Sequence, residues 1–148
     1  MATVQSAAKL LANNALKLYD FDPGATTATD IGWLDMRDYE NFAAAFCRTI
    51  GTGATTFAII ANAASDGSGT DVTVVSHAVG SEPDAVGDQL WLECTAQQIR
   101  DAGERAGHAV RYVSASVSVA TATDEGVVLQ WRGGAKAAAS GLTADVVA

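Results

Sequence analysis

Two cysteines, Cys47 and Cys94, are too few for a disulfide scaffold in a chain of 148 residues. Each lies inside an apolar stretch, which predicts reduced, buried thiols that contribute packing only. Basic residues are also scarce: nine stand against 17 acids, for a net charge of −8. Lys9, Lys17, Arg37, Arg48, Arg100, Arg105, Arg111, Arg132 and Lys136 are scattered along the chain. Neutralising phosphates takes clustered cations, so no nucleic-acid partner is expected. An acidic surface serves solubility and also suits a partner with basic patches. No apolar run is long enough to span a membrane, so no membrane partner is expected either. The stretch MATVQSAAKLLANNALKLY is interrupted by Lys9, Asn13, Asn14 and Lys17, unlike a signal peptide, and a product made in the cytoplasm is expected. Aromatics make up only 7%, and much of the 49% apolar content is alanine, which points to a thin, close-packed core.

Signatures of catalysis and metal binding are missing as well. His77 and His108 have no Cys or carboxylate beside them at zinc-ligand spacing. Gly51-Thr52-Gly53 lacks the lysine and the following helix of a phosphate loop. Asp66-Gly67-Ser68-Gly69-Thr70-Asp71 does not match the oxygen spacing of a calcium loop and reads as a hairpin turn. The serines sit in no G-x-S-x-G elbow, and Asp124-Glu125 adjoin in a turn, where paired acids would point apart. Neither an enzyme nor a cofactor is expected: no catalytic, cofactor-binding or metal residues are assigned.

What is there is β-rich. From Arg111 to Thr121 small polar residues alternate with Val113, Ala115, Val117 and Val119, the period of a half-buried strand. A second run, 127–132, follows Thr123-Asp124-Glu125-Gly126, so a hairpin pairing 110–120 with 126–132 is expected. Residues 39–49 fit either period, and the glycines that follow favour a strand with Phe42, Ala44 and Phe46 on one face. Residues 55–62 and 70–77 flank a polar turn and read as another hairpin, with 89–94 as a further strand. Thr95-Ala96-Gln97-Gln98 has the form of a capping box and opens a helix over 96–106 that Gly107 stops, with Ile99 and Ala102 or Ala106 inward. The expected fold is mostly β: a β-sandwich or jelly-roll-like barrel with one short helix and extended termini. An α+β sheet with the helix on one face is the alternative. The expected organisation is an N-terminal arm or short helix over 1–24, a β-rich domain over 25–134 and a tail over 135–148.

Three segments carry a family likeness. They are Trp33-Leu34-Asp35-Met36-Arg37-Asp38-Tyr39 with the run up to Gly51-Thr52-Gly53, then Leu90-Trp91-Leu92-Glu93-Cys94-Thr95-Ala96-Gln97-Gln98-Ile99, then Val110 to Ser118 with Val127 to Ala135. In order and texture they resemble the small proteins encoded beside the major capsid gene of tailed bacteriophages, including capsid cement (decoration) proteins. The resemblance implies a virion structural protein on the capsid exterior that clamps the major capsid protein and assembles with itself as a dimer or trimer. It brings no catalytic residues. A phage neck or tail component, or a non-viral ligand-binding β-sandwich, shares the same features. Within the arm, Leu10, Leu11, Leu16, Leu18 and Tyr19 are too many apolar side chains to leave in water. They are the expected partner contacts, or else they cover an open face of their own domain.

Overall fold

The computed structural model describes residues 14–21, 29–52, 55–77 and 85–134. These form nine strands and one helix: β1 (Asn14–Phe21), β2 (Thr29–Asp30), β3 (Leu34–Asp35), β4 (Asn41–Ile50), β5 (Thr55–Asn62), β6 (Val72–His77), β7 (Gln89–Thr95), α1 (Ala96–Ala106), β8 (Tyr112–Val119) and β9 (Glu125–Gly133). The strands divide into two antiparallel sheets. Sheet A runs β1-β9-β4-β7, and sheet B runs β2-β8-β5-β6 with β3 also on β8. Taken as one interrupted strand, β2 and β3 complete four strands facing four. In this order nearly every connection crosses between sheets, which is the wiring of a jelly roll. The α+β alternative is thereby set aside.

The faces follow the alternation in the sequence. Phe42, Ala44 and Phe46 of β4, Phe57, Ile59 and Ala61 of β5, Val113, Ala115, Val117 and Val119 of β8, and Val128 of β9 meet between the sheets as one core. Phe46 and Phe57 bridge the two layers, with ring centroids 6.1 Å apart and planes tilted by 40°. The β5–β6 hairpin forms as expected, with a register shift after Ile59.

The expected pairing of 110–120 with 126–132 is not what forms. β8 lies between β5 and the β2/β3 strand in sheet B, and β9 lies between β1 and β4 in sheet A. The link between them turns at Thr121–Asp124, where Asp124 N donates to Thr121 O at 3.0 Å, and it passes from sheet B to sheet A rather than closing a hairpin. Both runs alternate, but alternation fixes only which face is buried and leaves the lateral neighbour open.

One buried polar residue joins the layers. Between β2 and β3 the chain leaves β8, so the ladder is interrupted beside Ala115. Ile31 N reaches Ala115 O at 2.9 Å. Gly32 N donates to Ser114 Oγ at 3.1 Å, and Gln130 of the opposite sheet fills two more places: its Oε1 accepts from Ala115 N and its Nε2 donates to Gly32 O at 2.8 Å. The side chain is fully buried, and this pairing offsets the cost of taking an amide out of water.

Helix α1 follows its signals. Thr95 Oγ1 accepts from Gln98 N at 3.2 Å, and Gln98 Oε1 accepts from Thr95 N at 2.8 Å. Gly107 ends the helix with φ +76°, and His108 N donates back to Gly103 O at 2.9 Å. Ile99 and Ala102 point inward, whereas Ala106 is exposed.

The N-terminal expectation needs correcting. Residues 14–21 are neither helix nor free arm: β1 pairs along its whole length with β9 as an edge strand of sheet A. Leu11, Ala15 and Leu18 fit a helical spacing locally, but Asn13-Asn14 weakens a helix, and the open edge of β9 offers a full ladder instead. Leu10 and Leu11 lie outside the described residues, as do the expected boundary at residue 24 and the tail from 135.

Candidate assembly surface

Sheet A is apolar on both sides. Its inner face carries Phe42, Ala44, Phe46 and Val128. On β4, the alternate residues Ala43, Ala45 and Cys47 point outward; on β9 these are Val127, Leu129 and Trp131, and on β7 they are Gln89, Trp91 and Glu93. The register sets them in rows. Trp91, Ala45 and Leu129 stand side by side, as do Glu93, Ala43 and Trp131. The alanines make a low floor, each only 7% exposed, between taller walls. Trp91 forms one wall at 58% exposure, with its indole N–H donating to Gln89 Oε1 at 3.3 Å. Where the floor meets α1, a recess of about 390 Å³ opens between Trp131 and Glu93.

The expected contact residues distribute unevenly over this sheet. β1 places Leu16 in register with Trp131 and Leu18 with Leu129, so two of them hold register positions in line with the outward rows. Tyr19 is in register with Val128, an inner-face position. Trp91, Leu129, Trp131 and the alanine floor were missed in reading the sequence. The signal was present: NFAAAFC is apolar at both parities, as a strand must be when both faces are to be covered.

The outer face of sheet B is different in kind. A trough of about 450 Å³ there is lined by Ser116, Ser118, Thr56, Thr73 and Ser76 together with Asp30 and Asp71, over a base of Ala58 and Ile60. Burial pushes the Asp30 carboxyl up from its ordinary range, the Asp71 charge adds to this, and a hydrogen bond with Ser116 opposes it. Asn62 holds Asp71 in place through Nδ2 to Oδ1 at 2.7 Å. Hydroxyls and carboxylates of this kind are well hydrated, whereas the outer face of sheet A gains from leaving water.

His77 ends β6 and His108 follows the helix stop. Among the described residues no group of three His, Cys, Asp or Glu is placed to hold a metal ion. Neither cysteine is in a disulfide: Cys94 is buried, and Cys47 is half-buried on the outer face of sheet A. Burial, reinforced by the Glu93 charge, pushes the Cys94 thiol up to about 12. A thiol reagent at about pH 8 is therefore expected to label Cys47 in the native chain and Cys94 only as the chain unfolds. Equal labelling rates for the two would contradict this placement.

No protein-family model matches the chain, nor does any curated protein. Among solved structures it is similar to a chain of the Bacillus endospore appendages, which form a family of disulfide-linked pili, at 16% identity and TM-score 0.44, over 83% of this chain and 86% of that one. It is similar to the SPBc2 prophage-derived protein YomS at 13% identity and TM-score 0.44, over 81% and 95%. A third likeness is to VP2 of the infectious bursal disease virus subviral particle, at 12% identity and TM-score 0.39, over 84% of this chain and 31% of VP2.

Proposed function

We propose that this chain is a virion structural protein, a cement (decoration) protein that binds the major capsid protein on the outside of a tailed-phage shell through the outer face of sheet A. The carrying observation is the outer row of sheet A, where Trp91 stands 58% exposed and Leu129 and Trp131 half-buried around the buried floor of Ala43 and Ala45. An isolated monomer gains nothing by keeping the Trp91 indole in water. The three segments that resemble phage cement proteins supply β4, β7 and β9, the strands that carry this face. In this reading the chain is a binding subunit that catalyses no reaction and needs no cofactor. Many copies on one shell turn a modest contact into firm attachment through avidity.

The test is co-sedimentation with shells assembled from the major capsid protein encoded alongside this chain. Wild type is expected to bind. Trp91→Glu, at an exposed position, is expected to keep the thermal midpoint within about 2 °C and to bind at least about tenfold more weakly. Binding unchanged by Trp91→Glu would remove sheet A from the interface, and absence of wild-type binding would remove the cement reading.

A further inference from the structure

The two ends of the sandwich differ in chemistry. At one end the β3–β4 link meets α1 and the start of β8. A pocket of about 140 Å³ there has an apolar floor of Met36, Ile99 and Val110 and a rim of Arg37, Arg100 and Arg111; none of its lining residues is acidic. Arg111 is matched within the chain: its Nε donates to Asp35 Oδ1 at 2.9 Å and its Nη2 to Asp35 Oδ2. Arg100 donates through Nη2 to Gln97 Oε1 at 2.7 Å, and the Gln97 amide in turn donates to Asp101 Oδ1 at 2.6 Å, so Arg100 bonds a neutral group and not a carboxylate. Arg37 makes no ion pair within 4 Å among the described residues; its charge acts on Asp35, and that of Asp38 on Arg111, so the three arginines outnumber the two acids nearest them. The first turn of α1, at the same pocket, contains no acid, so the positive end of the helix adds to the rim.

The opposite end lies about 30 Å away, the length of the ten-residue strand β4. Two large apolar side chains stand out there, Ile50 at 49% and Val86 at 63% exposure. Gly87 N donates to Arg48 O at 2.9 Å and Arg48 N to Asp88 O at 3.0 Å, which fastens the Val86 turn to the end of β4. Glu125 is in register with Ile50, and Asp88 follows Val86 by two residues with its Oδ2 accepting from Ala85 N at 3.1 Å. This tip is apolar and acidic where the pocket is apolar and basic.

We propose that copies of this chain associate head to tail, the Ile50/Val86 tip of one seating in the arginine-rimmed pocket of the next. Both halves belong to the same chain but sit at opposite ends, so no copy can fill its own pocket. Opposite charge selects tip against pocket and disfavours tip against tip or pocket against pocket. Such a contact is heterologous: it builds a ring where the rotation closes and a filament where it does not, never a two-fold dimer. It requires no shell protein and uses surfaces other than the outer face of sheet A, so it stands or falls independently of the cement reading.

Sedimentation of the purified full chain tests this. Wild type at rising concentration and low salt is expected to pass beyond a dimer, and to dissociate in about 0.5 M salt as the rim charges are screened. Arg100→Glu and Val86→Glu, both at exposed positions, are each expected to associate at least about tenfold more weakly with an unchanged circular dichroism spectrum. Mixed in equal amounts they should form a one-to-one dimer that grows no further, because each retains one complementary half. Should either variant fail to fold, Arg37→Ser and Ile50→Ser test the same two ends. A wild type that stays monomeric overturns the proposal, as does either variant assembling like wild type alone, or a mixture that yields no dimer.

Discussion

Replacing Asp124 with alanine is expected to cost about 3–5 kcal/mol, a large part of the stability of a single domain. The cause lies at the tip end of the sandwich, where Arg48 occupies the last inward position of β4 with no exposed surface. Its Nη1 is 3.1 Å from Asp124 Oδ2, and its Nη2 donates to Thr55 Oγ1 at the start of β5. One guanidinium thus ties together sheet A, sheet B and the link from β8 to β9. Gly51, at φ +88°, makes room for the pair: a Cβ there would collide with Asp124 Oδ1. With Asp124 gone, the buried cation loses this counter-charge. Removing both charges together is a different case. Arg48→Met with Asp124→Leu restores an apolar end, and buried ion pairs replaced in this way often lose little. The double variant should therefore be much more stable than the sum of the single changes implies, with a coupling of about 2 kcal/mol or more in urea unfolding. A cost below about 1 kcal/mol for Asp124→Ala would show that water reaches the site and that the pair is not closed.

Much of this fold was legible and some was not, and the division has a physical basis. The inward residues of β4, β5 and β8 could be read because a period of two places them directly. Helix α1 could be read because its caps are local: Thr95, Gln98 and Gly107 are all within a few residues of the ends they satisfy. The β5–β6 neighbours could be read because a short polar turn joins them, whereas β8 and β9 share the pattern of a hairpin yet pair with β5 and β4 across long separations. Residues 14–21 show the same limit, since their conformation is decided by the edge of β9 and not by their own spacing. Functional surfaces suffered most. The alanine floor looks like weak patterning until Trp91 and Leu129 are set on either side of it. Arg37, Arg100 and Arg111 look scattered until two loops bring them to one end. Asp124 and Gly126 read as turn residues, yet one is an ion-pair partner of Arg48 and the other lies inside a strand.

Gly126→Ala is accordingly expected to cost about 2–3 kcal/mol, although alanine is ordinarily the better strand residue. Gly126 is the second residue of β9 and is in register with Arg48 on β4. The ring of Phe46 lies against its backbone: a Cβ at Gly126 would collide with Phe46 Cε2 and come within 2.7 Å of Cys47 O. Neither neighbour yields easily. Phe46 is fully buried and packed against Phe57, and Cys47 O belongs to the backbone of a central strand. The extra methyl must therefore force β9 from β4 or drive the ring out of its packed position, and close-packed interiors resist both. Phe46→Leu tests which neighbour bears the strain. It opens space at the ring and costs stability by itself, but it removes the worse clash. In the Phe46→Leu background Gly126→Ala should cost at least about 1 kcal/mol less than in wild type, the remainder reflecting the contact with Cys47 O. Thermal unfolding of the four proteins gives both numbers. If Gly126→Ala is tolerated within about 0.5 kcal/mol, or costs the same in the Phe46→Leu background as in wild type, the ring does not rest on that glycine.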